Sequence, residues 1–113
     1  MTDANELTIR VESFGHVARV RCRGRLTLTS ASELRREVKA LLPHTGIVTI
    51  DFSDLTLIDS VGLGTIAALY ASARSAGCEL QLVNLSPRIR ELFSVMRLLS
   101  LFEPCGEANI PMP

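Results

Sequence analysis

The stretch IVTIDFSDLTLIDSVGLGTIAALYASARSAG, residues 47–77, decides the fold. Its first six residues, Ile47 to Phe52, form a short apolar run of strand length. A loop is expected next, and residues 61–76 then read as a helix of Ala, Leu, Ile and Gly that ends at Gly77. Because this helix is apolar nearly all round, it must be covered on more than one side. A buried strand leading through a polar loop into an apolar helix is the unit from which sheets with crossover helices are built.

Upstream, residues 6–13 alternate, with Leu7, Ile9 and Val11 on one face. Gly15-His16 reads as a turn. From Val17 to Arg23 the alternation is sharper, with Ala18, Val20 and Cys22 on one side and Arg19, Arg21 and Arg23 on the other. Two strands joined by a short turn predict an antiparallel hairpin. The row Arg19, Arg21, Arg23 and Arg25 offers an anion-binding stripe, but the preferred reading is the solvated outer face of an edge hairpin, where positive charge discourages strand-to-strand aggregation. Ser30 and Glu33 have the spacing of a capping box. They precede an apolar stripe of Ala31, Leu34, Val38, Leu41 and Leu42, with Pro43 to Gly46 as terminator.

Downstream, Leu80, Leu82 and Val83 mark a further strand. Ser86-Pro87 opens a third helix as N-cap and first position, with Ile89, Leu92, Phe93 and Met96 expected inward. The order predicts an α/β domain: a mixed sheet made of an N-terminal antiparallel hairpin plus parallel strands, with helices mainly on one face. At 113 residues there is room for one domain. Its core is expected over about 6–103, with 104–113 a loose tail.

Composition narrows the function. Twelve basic and twelve acidic residues cancel, which removes the general attraction to phosphate backbones that nucleic-acid binding needs. No run approaches the roughly eighteen apolar residues of a membrane span, and the N-terminus lacks the pattern of a secretory signal. Cys22, Cys78 and Cys105 have no metal-site spacing and read as reduced thiols of a cytoplasmic protein. A serine hydrolase would need a nucleophile elbow, but Ser60 is flanked by Asp59 and Val61. His16 and His44 lie in a turn and a helix-ending loop, and no phosphate-binding loop follows the glycines. An enzyme is therefore not expected.

The chemistry is expected in Asp54 to Gly64, DLTLIDSVGLG, at the carboxyl end of a strand, where α/β sheets usually meet ligands and partners. Asp59 and Ser60 stand at the helix start, and either could cap it. Gly62 and Gly64 follow, each costing about 1 kcal/mol of helix propensity. They imply a close approach to the backbone or an unusual local conformation. A phosphate on Ser60 would add roughly −1.5 to −2 charges at the favourable end of a helix dipole.

Asp59-Ser60-Val61-Gly62-Leu63-Gly64 resembles the D-S-[ST]-G-L-G signature of STAS domains, in particular the bacterial anti-sigma factor antagonists. Gly24-Arg25-Leu26 is similar to the start of that family's G-E-L-D, and Ser30-Ala31 with Leu34 to its T-A-x-x-L helix. Asp51 resembles the residue that ends the family's strand before the site, and Ser86-Pro87-Arg88-Ile89 with Leu92-Phe93 is similar to its S-P-x-V-x-x-L-F helix. The resemblance covers roughly residues 6 to 102. Four features depart from it: Val61 replaces a second hydroxyl, Thr27 a common aspartate, and Arg97 a frequent glycine, while GEANIPMP shows no final helix.

The resemblance implies that Ser60 is a phosphoacceptor and that the unphosphorylated form binds an anti-sigma factor that is also a serine kinase. ATP would be bound by that partner, and a metal-dependent serine phosphatase would restore the binding form. The chain itself would need no cofactor or metal. Partner contact is expected from Asp54, Thr56, Asp59, Ser60, Val61, Gly62, Leu63, Gly64, Thr27 and Ser30. An alternative keeps the fold without the switch: a constitutive STAS interaction subunit of a stressosome or lipid-transport assembly.

Overall fold

A computed structural model describes residues 6–97. Strands β1 (Leu7–Phe14) and β2 (Val17–Leu26) form the expected antiparallel hairpin, turning at Gly15, whose φ of 63° suits glycine. Helix α1 (Ala31–Leu41) and a 3-10 turn (Leu42–His44) lead to β3 (Ile47–Ile58). Helix α2 (Ser60–Ser75), strand β4 (Glu79–Val83) and helix α3 (Pro87–Val95) complete the described chain. The sheet order is β1-β2-β3-β4, antiparallel in the first pair and parallel in the other two.

Strands are added in one direction across this sheet, so right-handed crossovers carry α1 and α2 to the same face. The burial pattern agrees. Ala18, Val20, Cys22, Val48, Ile50, Phe52, Leu80 and Leu82 are buried beneath the helices, together with Leu34, Val38, Ile66, Leu69 and Phe93. Phe93 of α3 meets Phe52 with ring centroids 6.3 Å apart. No helix among the described residues covers the opposite face.

Several expectations need correction. The strand expected to stop at Phe52 runs on to Ile58. It escapes simple alternation because its pairing with β2 slips twice, between Arg21 and Arg23 and between Gly24 and Arg25. Each slip flips the parity of the side chains, so Phe52, Leu55 and Ile58 all reach the core. Asp51 therefore lies within the strand and does not end it. The capping box does not form, because the Ser30 side chain caps no N–H of α1. Its Oγ instead accepts from Thr27 N–H at 3.0 Å and donates to the Arg25 carbonyl at 2.8 Å. Met96, expected inward, is 51% exposed because α3 ends one residue earlier.

The arginines of β2 are not on an edge, since β1 occupies that place. Helix α2 packs beside α1 and against β3 and β4, but Val61, Gly64, Ala68 and Ala71 stay exposed. Cys22 and Cys78 are buried and unlinked. Burial, helped by the Asp51 charge, pushes the Cys22 thiol up to about 12, so it stays protonated. Arg97 has φ 60°, which gives a conformational reason for the glycine frequent at that position in the resembling family. Cys105 and the expected tail, 104–113, lie outside the described residues.

Asp51 anchors the uncovered face. It is 1% exposed and accepts from Arg19 at 3.0 Å, Asn84 Nδ2 at 3.0 Å and Ser53 N–H at 2.9 Å. Arg21 Nε stands 3.7 Å away. Asn84 reaches it from a left-handed backbone, φ 61°, which asparagine tolerates. Burial raises the Asp51 carboxyl, but the bonds from Asn84, Ser53 and Arg19 outweigh it and hold the group at about 2. An unfolded aspartate titrates near 3.9, so this stabilisation is present above about pH 4 and is lost as pH falls toward 2. Asp51→Ala is expected to lower stability by about 2–3 kcal/mol in urea titrations at pH 7. The difference between variant and wild type should shrink between pH 4 and pH 2.

Candidate functional site

The site is built where the carboxyl ends of β2 and β3 meet the start of α2. Asp59 is the N-cap of that helix, with an extended backbone. Its Oδ1 accepts from Gly62 N–H at 2.8 Å, and its Oδ2 from Leu28 N–H at 3.1 Å. Its own N–H donates to the Leu26 carbonyl at 3.2 Å. One residue thus caps the helix and ties it to the loop that leaves β2. Of the two candidates for the cap, Asp59 takes it, and Ser60 becomes the first helical residue with an exposed side chain. The N–H groups of Ser60 and Val61 have no intrahelical acceptor, as at every helix start.

The two glycines have different reasons. A Cβ on Gly62 would lie 2.5 Å from the Leu26 carbonyl oxygen and 2.8 Å from Ile58 Cγ1. The close approach read from the sequence is therefore made by the chain's own β2. A Cβ on Gly64 would meet nothing within 4 Å, so internal packing does not require glycine there.

The other expected contact residues divide by burial. Val61 is 40% exposed, whereas Leu63 is 3% and Ser30 4%, so Leu63 packs the core and Ser30 braces the loop. Thr27 is half-buried and its hydroxyl donates to the Glu6 carboxylate, as does that of Thr29. These bonds, Thr27 first, hold the Glu6 carboxyl below its usual range. Thr56 Oγ1 donates to the Gly24 carbonyl at 2.9 Å and straps β3 to β2. Asp54 is set apart. It faces the uncovered side of the sheet, beside Thr8, Arg10, Arg21 and Arg23.

Two residues that sequence reasoning passed over belong here. Leu28 is 70% exposed and Leu57 44%. Leu57 lies close to Ser60 in the chain, and Leu28 is held to Asp59 through its N–H. Val61, the next residue after Ser60 in α2, is exposed as well, so Leu28 and Val61 give the Asp59-Ser60 step exposed apolar neighbours. A leucine in a Thr-Leu-Thr loop signals this only once the loop is known to stand beside the helix start.

The family described as Mlab, STAS domain matches residues 9–103. An anti-sigma-B factor antagonist of Listeria monocytogenes is 30% identical over 81 residues, 71% of each chain. An anti-sigma factor antagonist from Mycobacterium paratuberculosis shares the fold with a TM-score of 0.78 at 23% identity, covering 91% of this chain and 88% of that one. The Bacillus cell fate determinant SpoIIAA in its phosphorylated form has a TM-score of 0.69 at 18% identity, over 84% and 88% of the two chains.

The glycine contrast is directly measurable. Gly62→Ala is expected to cost about 1–3 kcal/mol, because the methyl group must displace backbone. Gly64→Ala is expected to leave stability unchanged or raise it by up to about 1 kcal/mol. Thermal or urea unfolding of the two variants checks both signs.

Proposed function

The chain belongs to the STAS-domain family, and on that premise we propose that it is an anti-sigma factor antagonist switched by phosphorylation of Ser60. The observation that supports this reading is an exposed serine at the first position of α2, next to exposed Val61 and to Asp59, which also holds the loop of exposed Leu28. Apolar side chains around a polar centre are what a protein partner can desolvate. Gly64, whose missing side chain faces open space, lets such a partner approach the backbone of α2 closely.

In this reading the unphosphorylated protein binds an anti-sigma factor with serine kinase activity and so frees the sigma factor. The partner holds the ATP. Transfer of its terminal phosphoryl group to Ser60 Oγ places a dianion next to the Asp59 carboxylate. The nearby N–H groups of Ser60 and Val61 accommodate the phosphate within the free protein, so the fold persists. In the complex the same charge would be desolvated beside the like-charged Asp59 carboxylate, at a cost of several kcal/mol. Each 1.4 kcal/mol lowers affinity tenfold. A metal-dependent phosphatase restores the binding form. The protein acts in the cytoplasm as a binding switch, with no cofactor or catalytic group of its own. The relative named as an anti-sigma-B factor antagonist and the neighbour known in a phosphorylated form support this reading.

The test pairs two variants with mass spectrometry. Ser60→Ala should keep partner binding and accept no phosphate from kinase and ATP, whereas Ser60→Asp should bind at least tenfold more weakly. Leu28→Asp should also lose binding while melting at the wild-type temperature. Equal binding by Ser60→Ala and Ser60→Asp, with Ser60 unmodified in cells, would replace the switch by a constitutive STAS subunit.

A further inference from the structure

The uncovered face of the sheet carries a second constellation, away from Ser60. Arg10 of β1 stands directly opposite Arg21 of β2, and Thr8 opposite Arg23. These four residues and Asp54 line a cavity of about 130 Å³. Like charges placed directly across a strand pair destabilise it, yet three guanidinium groups converge here around one carboxylate. Arg10 and Arg23 make no ion pair or hydrogen bond among the described residues. Arg21 reaches Asp51 only through Nε, at 3.7 Å, which leaves its terminal nitrogens for another acceptor. Asp51 cannot serve Arg10 or Arg23, because its oxygens are already engaged by Arg19, Asn84 and Ser53.

Protection of a sheet edge explains a lone arginine on β1. It does not explain Arg21 and Arg23, which stand on an interior strand and face the same cavity. Rigid strands hold all three guanidinium groups, and the register slip between Arg21 and Arg23 brings Asp54 into line with Arg23. Arginine matches the geometry of a phosphate oxygen pair, and Thr8 adds a hydroxyl. The cavity, about 130 Å³ and partly open to solvent, has room for a tetrahedral oxyanion against the arginines.

We propose that Thr8, Arg10, Arg21 and Arg23 form a binding site for a phosphate monoester, taking the phosphate group into the cavity and leaving the rest of the ligand in solvent. The site lies on a different surface from the Ser60 switch, so ligand on the sheet face and partner at α2 can be held together. Asp54 limits the affinity: against three guanidinium groups its carboxylate leaves two net positive charges, the complement of a doubly charged phosphate monoester.

The experiment is a titration of the full chain with inorganic phosphate and with glycerol phosphate at constant ionic strength, read by amide chemical shifts. Saturable shifts confined to residues 8–10, 21–23 and 54 are expected. Arg10→Gln and Arg23→Gln should each weaken binding about tenfold, and Asp54→Asn should strengthen it. A parallel arm sediments the protein with phosphatidylcholine vesicles with and without phosphatidic acid. Capture only by phosphatidic acid, lost in Arg10→Gln, would identify a lipid headgroup as the source of the phosphate; binding only in solution would identify a soluble ester. The proposal is overturned if chloride gives the same shifts, or if the arginine variants bind as well as wild type. Absence of binding in both arms overturns it too. None of these outcomes depends on Ser60.

Discussion

The parallel pairing of β2 with β3 is the constraint on which the rest of the structure depends. It joins the hairpin to the crossover part of the domain, and its two register slips determine which side chains face which way. Before the first slip Asp51 faces the uncovered side and Ile50 the core; after it Asp54 is exposed and Leu55 buried. The second slip sends Leu57 outward and Ile58 inward. With only one of them the strand would end in the wrong phase; with neither, it would stand two residues out of register and Asp59 would not meet the Leu26 carbonyl. Straps from Thr56 to the Gly24 carbonyl and from Thr27 to Glu6 fix the slipped region.

From that register follows a division of labour between two aspartates. Asp51 is buried, and both of its oxygens are committed to holding β2, β3 and the turn after β4 together. Asp59 sits at the surface and spends its oxygens on the helix start and on the neighbouring loop. The first is a matter of stability. The second positions a serine: with the cap taken by its neighbour, the Ser60 hydroxyl makes no hydrogen bond among the described residues, which in the proposed switch leaves it to the partner. A serine used as the cap would have its oxygen occupied, as Ser86 does with Ile89 N–H at the start of α3.

The two glycines next to Ser60 make the same distinction. Gly62 is required by the fold, because Leu26 lies against it, while Gly64 meets no internal demand. In helix α2 one glycine therefore serves packing, and the other leaves open space that the proposed function gives to a partner.

Much of this was legible in the sequence. The hairpin, helix α1 and the inward residues of β2 follow from period-two and helical spacing, because each of those segments has one wet face and one buried face, while α2 was legible as a long apolar run and the mixed sheet from the order of elements. Ser86-Pro87 marks its helix start without help from tertiary structure, since capping there is local. The site at the front of α2 was visible through Asp59-Ser60 and the glycines. Only the tertiary structure decided the length of β3, since slipped pairing destroys the alternation that sequence reading relies on. It alone turned Ser30 from a cap into a brace and Thr27 into a partner of Glu6, because those bonds join residues distant in sequence. It also tied Leu28 to Asp59 beside Ser60, and set Arg10 opposite Arg21. Sequence spacing governs which face a side chain takes within one element, whereas what stands across from it depends on how the elements pair.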